Sequence, residues 1–430
     1  MSTGDLVYRS VARLAPLALR VAAPFDDKAR RGVAGRRDTL ASMLDWAARH
    51  RDPDRPLVWL HAPSVGEALM AQSILGAVRE IRPETQAAFT FFSPSTERMA
   101  GRVGADWHGY LPWDIEADIG AALDALRPSQ VAFVRTEIWP VLLAAARDRR
   151  ARVVLVNAVL AESSSRNGRG ARFLLGHAYS RLDALGAVTA EDGRRFTRLG
   201  VPEELIRVTG DARFDQVWQR IAGLEARPLL TRVAATSGSW LVAGSTWEPD
   251  EAVLLEGLTR LRERGAPWRM IMAPHEPSSD HVTGLERRVE QAGLSHARLP
   301  ALEDTGLPAA DVLVVDRVGI LAELYAVAHV AWVGGGFGSA GLHSVVEPAA
   351  LGVPVLFGPR HGNAGEAARL VAAGGGAQVS STSDLVEVLQ NWTRPSGGPS
   401  PAGTAAAAAA RAFVSGQLGG ARLNAELILA

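Results

Sequence analysis

The chain has 430 residues, more than one hydrophobic core usually serves, so two domains of roughly 200 residues each are expected. Its 46 basic and 46 acidic residues cancel, so no global positive field points to a nucleic-acid partner. Cysteine is absent, which excludes disulfides, thiolate metal sites and cysteine nucleophiles, and Lys28 is the only lysine.

In chain order, the first feature is an apolar segment, Leu6 to Phe25, interrupted by Arg9, Arg13 and Arg20. At about 100° per residue these arginines share one narrow helical stripe. A helix of this kind can lie in a membrane interface with its arginines toward anionic headgroups, and Lys28, Arg30, Arg31, Arg36 and Arg37 extend the positive charge. The segment falls short of the roughly 20 uninterrupted apolar residues of a spanning helix, and Pro16 argues against one straight rod. A secretory signal is disfavoured because Arg13 and Arg20 break the apolar core; a surface helix packed on its own domain is the plainer alternative. Residues 1–37 are therefore read as an amphipathic membrane-associating segment.

Short apolar runs then alternate with amphipathic stretches. In the first half the strand-like runs are Leu57–His61, Ala87–Phe92, Gln130–Val134 and Val153–Val156, with helical stretches such as Glu67–Ile81 and Ile138–Arg147 between them. A second series comprises Leu241–Ala243, Arg269–Ala273, Val312–Val315, Val330–Val333 and Val353–Phe357, with helices at Asp250–Arg264 and Ile320–Ala326. This is the βα alternation of parallel sheets. The expected architecture is α/β, with two doubly wound Rossmann-like domains, residues 38–224 and 240–410, facing a cleft. Residues 225–239, without a strand pattern, are read as the linker. Residues 391–410 form a loop followed by an alanine-rich helix start, and residues 411–430 form a last helix expected to cross back to the first domain.

In open α/β sheets ligands bind beyond the carboxyl ends of strands, so the loops there carry the candidates. His61-Ala62-Pro63-Ser64-Val65-Gly66-Glu67 follows the first strand: Gly66 permits a tight turn, Ser64 is placed as an N-cap, and Glu67 is placed as a general base. Ser-x-x-Glu also matches a capping box, so both roles stay open for Glu67. Thr136 in Arg135-Thr136-Glu137 is a second potential cap, and Glu137 either touches ligand, supports the Glu67 loop or simply complements a helix dipole. The glycine run Gly334-Gly335-Gly336, followed by Gly341-Leu342-His343-Ser344 and then Glu347, lets backbone N–H groups approach an anion, without matching a dinucleotide or Walker spacing. Arg360 in the next loop can pair with phosphate or carboxylate, or stand exposed. His61, His275, His343 and His361 lack metal-ligand spacing, so no metal site is expected and a satisfied structural role is the default for each.

Taken in order, these segments resemble the bacterial 3-deoxy-D-manno-octulosonic acid (Kdo) transferases of lipopolysaccharide assembly. The likeness rests on His61–Glu67, Leu111-Pro112-Trp113-Asp114, Thr136–Pro140, Val156-Asn157-Ala158, Gly210–Asp215, Gly244-Ser245-Thr246, Ala273-Pro274-His275-Glu276, Val315-Asp316 with Gly319, Leu324-Tyr325-Ala326 and Gly334–Pro359. The N-terminal segment is similar to the family's membrane anchor. The resemblance implies the GT-B fold and a metal-independent transfer of Kdo from CMP-Kdo to a lipid A precursor at the cytoplasmic face of the inner membrane, with no cofactor. It implies Glu67 as general base and Glu137 in its support. Arg213, Ser245, Thr246, Pro274, His275, Gly319, Ile320, Leu321, Gly335, Gly336, His343, Ser344 and Glu347 are implied at the donor, with Ser64, Gly66 and Arg360 as acceptor or anion contacts. Departures from the family pattern at Val159, Trp247, Pro249 and Ser344, together with Arg213 in place of a lysine and the missing arginine before His275, mark a divergent branch. Another GT-B enzyme acting on a UDP-sugar, a transferase or an epimerase, and a non-catalytic membrane-surface scaffold are the competing readings.

Overall fold

The computed structural model describes residues 2–162 and 164–430. These residues divide into two compact units, 1–216 with 417–430, and 217–416. The first holds strands β1 (Leu57–His61), β2 (Gln86–Phe91), β3 (Trp107–Tyr110), β4 (Gln130–Val134), β5 (Arg152–Ala158), β6 (Ala184–Ala187) and β7 (Ile206–Val208). They form one sheet in the order β3-β2-β1-β4-β5-β6-β7. The second holds β8 (Ser239–Thr246), β9 (Trp268–Pro274), β10 (His296–Arg298), β11 (Val312–Val314), β12 (Val330–Val333), β13 (Val355–Phe357) and β14 (Gly376–Gln378). Their order is β10-β11-β9-β8-β12-β13-β14. Neighbouring strands run parallel in both sheets. Two seven-stranded parallel sheets with flanking helices give the expected α/β, GT-B architecture.

The reason lies in the strands. β1 is buried along its whole length, with Leu57 and Trp59 entering the core on one face and Val58 and Leu60 that on the other. β8 divides its side chains the same way, Leu241 and Ala243 against Trp240 and Val242. A strand covered by helices on both faces must be apolar on both, which is why it reads as a run rather than an alternation. In each sheet the order reverses beside the first strand of the unit, between β1 and β4 and between β8 and β12. At such a switch point the following loops diverge and leave a crevice at the carboxyl ends of the strands.

Two segments depart from expectation. The stretch 225–239 contains the helix Pro228–Ala234, whose Leu229, Leu230 and Val233 are buried, and the start of β8; the units divide instead at 216/217 and 416/417. Seven residues display too little helical periodicity to be read as one. The N-terminal segment forms a helix, Thr3–Ala22, that continues through Pro16, and a second, Asp27–Arg36. Its arginine stripe is turned partly inward: Arg9 and Arg13 pair with Glu116 at 2.7 and 3.2 Å, Arg31 pairs with Glu97 at 2.8 Å, and Arg36 is buried among Phe92, Tyr110 and Trp113. The adjoining face, Val7, Val11, Leu14, Leu17 and Val21 with Phe25 beyond the helix, is exposed. No described helix is long and apolar enough to cross a membrane.

The last helix, Gly420–Leu429, belongs to the first unit and packs on the helix Val65–Ile81 and on β5. Asn424 locks it there: its Oδ1 accepts from the backbone N–H of Asn157 at 2.8 Å, and the close approach of Gly186 leaves no room for a Cβ, which would lie 2.6 Å from that oxygen.

Candidate functional site

In the first unit, Glu67 and Glu137 lie on the two loops at the switch point. Glu67 sits in the first turn of the helix Val65–Ile81, just beyond β1, and Glu137 in the loop after β4. Ser64 occupies the N-cap position, but its hydroxyl donates to the Glu67 carboxylate and makes no capping bond to backbone. The capping box therefore does not form, and a hydroxyl orients Glu67 instead. Arg135, held at φ 79°, brings its Nε to 4.0 Å from the Glu67 carboxylate. Burial raises the Glu137 carboxyl above its ordinary range; Arg166 opposes that rise and the Glu67 charge adds to it. Glu67 and Glu137 thus lie near one another beside arginines, a candidate proton-accepting pair.

Gly66 is not required by crowding or by a turn, since it lies inside the helix with open space where a Cβ would stand. Thr136 caps no helix: its hydroxyl donates to the Val159 carbonyl at 2.6 Å, and the next helix begins at Pro140. His61 is fully buried and locked. Trp139 Nε1–H donates to His61 Nε2 at 2.9 Å, so the proton lies on Nδ1, which faces Thr90 Oγ1 at 3.0 Å. Burial pushes its pKa down to about 3, with Arg36 lowering it further, so it is neutral and braces the loop. Asp114 is buried and accepts from the backbone N–H groups of Val141 and Leu142 at 3.0 and 2.8 Å and from the Tyr8 hydroxyl at 2.9 Å. It satisfies the start of the helix Pro140–Asp148 and ties the N-terminal helix to the same loop.

Arg213 also falls in the first unit, on the helix Ala212–Ala222, where it pairs with Asp211 at 3.2 Å. The surrounding motif residues hold backbone. Asn157 Oδ1 accepts from Ala212 N–H at 2.7 Å, and Asp215 accepts from Gly419 and Ala421 N–H at 2.8 and 3.0 Å.

In the second unit the donor candidates converge on the ends of β8, β9 and β12. The Gly334 N–H donates to the Gly244 carbonyl at 2.9 Å and the His275 N–H to Thr246 at 3.0 Å. Ser245 is held at φ 53° and Gly335 at φ 95°. A Cβ on Gly335 would lie 2.0 Å from the Gly341 carbonyl oxygen, so only glycine fits. Trp247 stacks on His275 with ring centroids 4.9 Å apart, and His275 lies 4.4 Å from His343. Burial, and then the neighbouring His275, lower the His343 pKa, and the three rings form one continuous π surface. Leu321 and the Tyr325 hydroxyl would both collide with a Cβ at Gly244, which sets the helix Leu321–Tyr325, preceded by Ile320 and by Gly319 at φ 93°, against the end of β8. Glu347 pairs with Arg220 at 2.6 Å. Pro274 closes β9, and the Ser344 hydroxyl accepts from Val346 N–H at 3.4 Å. Arg360 is exposed; its backbone N–H reaches the Gly336 carbonyl at 2.8 Å and its guanidinium the Gly338 carbonyl at 3.4 Å.

Four residues here were not singled out from sequence. Asp250 accepts from the N–H groups of Gly335 and Trp247 at 2.9 and 3.0 Å, pinning the glycine run to the stacked rings, yet its place in a first helical turn looks ordinary. Asn363 clamps Leu342 through both its backbone groups, at 3.0 and 2.9 Å. Trp139 and Arg166 act on His61 and Glu137 across long sequence separations that no local pattern reveals. Among the described residues no three His, Asp or Glu side chains come together as a metal-ligand set.

The two switch-point sites on paired parallel sheets define the class as GT-B glycosyltransferases and their fold relatives. The fold is shared with a glycosyltransferase from Rickettsia africae (TM-score 0.55, 11% identity, 87% of this chain and 96% of that one). It is shared too with a UDP-GlcNAc 2-epimerase from Neisseria meningitidis (TM-score 0.56, 13% identity, 78% and 90%). Residues 38–216 match the family described as 3-deoxy-D-manno-octulosonic-acid transferase. A transferase of that name from Bordetella pertussis is 30% identical over 347 residues, 77% of each chain. The chain belongs to the Kdo transferase family and is a glycosyltransferase.

Proposed function

We propose that this chain transfers Kdo from CMP-Kdo to a lipid A precursor at the cytoplasmic face of the inner membrane. The observation that carries the reading is the pair Glu67 and Glu137 at the first unit's switch point, in a chain of this family. Glu67, oriented by Ser64, takes the proton of the acceptor hydroxyl. The freed oxygen bonds to the anomeric carbon as the bond from that carbon to the phosphate oxygen breaks, and CMP departs with the electron pair. Glu137 keeps the local charge in balance with Glu67, and Arg135 limits it.

CMP is read onto the second unit, with backbone N–H groups of the glycine run toward its phosphate and the Trp247–His275–His343 surface beside the nucleotide. Glu347 reaches the ribose by exchanging its Arg220 partner. Arg213 offers positive charge to the departing phosphate by loosening from Asp211. The single phosphate of CMP leaves without a divalent ion to neutralise a second, so turnover is read as metal-independent. The exposed apolar face of the helix Thr3–Ala22 rests in the membrane interface, with Phe25 beside it.

The test is product formation with CMP-Kdo or a UDP-sugar as donor, each with and without EDTA. Transfer from CMP-Kdo that survives EDTA is expected. Transfer from the UDP-sugar alone would replace the donor assignment, and loss on chelation would overturn metal independence.

A further inference from the structure

Beside the helix Arg169–Tyr179 lies a cavity of about 560 Å³ whose wall includes Arg166, Arg169, Arg172, Arg194, Arg195 and Arg198. The glutamates Glu162 and Glu191 share the wall. Arg194 is offset by Glu191 at 2.6 Å and Arg195 by Asp192 at 3.5 Å. Arg169, Arg172 and Arg198 have no ion-pair partner among the described residues. Guanidinium groups gathered on one concavity repel one another unless an anion sits among them, and their planar forks suit phosphate oxygens.

Two neighbours identify the occupant. On one side, the Tyr179 hydroxyl of the same helix donates to the carbonyl of Thr136, next to Glu137, and Arg166 opposes the protonation of Glu137, so the cavity adjoins the candidate proton-accepting pair. On the other, the helix Arg169–Tyr179 packs along the N-terminal helix: His177 contacts Asp5 at 2.6 Å, and a Cβ on Gly4 would strike the Phe173 carbonyl. Phe173 is itself exposed, as is the apolar face of the N-terminal helix. Acyl chains held at those apolar residues and a hydroxyl held at Glu67 bracket the arginines from both ends.

We propose that the arginine-lined cavity binds a phosphate group of the acceptor lipid and thereby presents its hydroxyl to the Glu67 loop. The assignment rests on the transferase reading for the identity of the acceptor, but binding tests it without turnover.

The full chain and its Arg169→Ala/Arg172→Ala/Arg198→Ala variant are compared by co-sedimentation with four kinds of vesicle. These are phosphatidylcholine alone, phosphatidylcholine with phosphatidylglycerol, and phosphatidylcholine with a phosphorylated glucosamine-disaccharide lipid or its dephosphorylated form. Because all three arginines are exposed on helices and none has an ion-pair partner among the described residues to lose, the fold tolerates the change, and a matching Lys triple restores charge if it does not. The variant is expected to lose about tenfold or more in affinity for the phosphorylated disaccharide lipid alone, as removal of charge-assisted bonds requires. In transfer assays the acceptor KM rises while kcat and the donor KM hold. Equal binding of variant and parent to the phosphorylated lipid overturns the proposal. So does an equal loss on phosphatidylglycerol, which would make the cavity a general headgroup patch. Phosphate-selective binding without any transfer from CMP-Kdo would support the cavity and sink the transferase reading alone.

Discussion

Asp250 is the sharpest single test of how the second unit builds its site. Its Oδ2 accepts from two backbone N–H groups, Gly335 and Trp247, which belong to different strand ends. Asp250 is fully buried, so neither donor gains water if the carboxylate is removed. Each hydrogen bond to a charged group contributes about 1.5–3 kcal/mol, and two lost together give about 3–5 kcal/mol once partial relaxation is allowed. Asp250→Ala is therefore expected to destabilise the second unit by that amount and to weaken CMP binding, because the glycine run and Trp247 lose their common anchor. Asp250→Asn keeps one acceptor oxygen and should recover more than half of the loss. Urea unfolding followed by tryptophan fluorescence reads the stability, with a separate transition allowed for each unit, and calorimetry reads CMP affinity. An Asp250→Ala protein within about 0.5 kcal/mol of the parent, the usual range for an inconsequential surface change, would refute the reasoning.

Asp114 should leave a pH signature. Burial, its largest influence, raises its pKa to about 6 from the ordinary 3.8, so between those values the folded chain binds the proton more tightly than the unfolded one. Stability from this group is full below pH 3.8 and is lost as pH rises through 6, on the order of 3 kcal/mol in all. Asp114→Asn should flatten that slope in urea midpoints taken at pH 4.5 and 7, and an unchanged slope contradicts the assignment. His61 should stay neutral with its proton on Nδ1 down to about pH 4; imidazolium signals in ¹⁵N spectra at pH 6 would count against its locked role. Val11→Asp with Leu14→Asp should abolish vesicle binding yet shift the unfolding midpoint little, since both side chains are exposed; retained binding would remove the helix from the interface.

What the sequence disclosed follows from where each constraint is written. Central strands such as β1, β4 and β8 are apolar on both faces and stand out as runs, whereas the edge strand β7 exposes Arg207 and Val208 and passes unnoticed. Glu67 and Glu137 were legible because switch-point loops follow recognisable strands, and Ser64 was legible as the neighbour of Glu67, but the bond between them was not. Ser64 satisfies the sequence rule for a capping box and bonds to the carboxylate instead. The arginine stripe at the N-terminus was correctly grouped by helical angle, yet its direction depended on Glu116, more than a hundred residues away. Asp250 and Arg166 were invisible for the same reason: Gly335 and Glu137, on which they act, are distant in sequence, and the bond from Trp247 to Asp250 alone is an ordinary first-turn contact.

The most direct test is acceptor-dependent release of CMP from CMP-Kdo by the full chain and by Glu67→Ala, with CMP affinity measured on both. The account predicts release that requires the lipid A precursor and falls by at least about a hundredfold in the variant, the lower range for loss of a general base, while CMP binding is unchanged. Release by Glu67→Ala at the parent rate, with the fold intact, would contradict it.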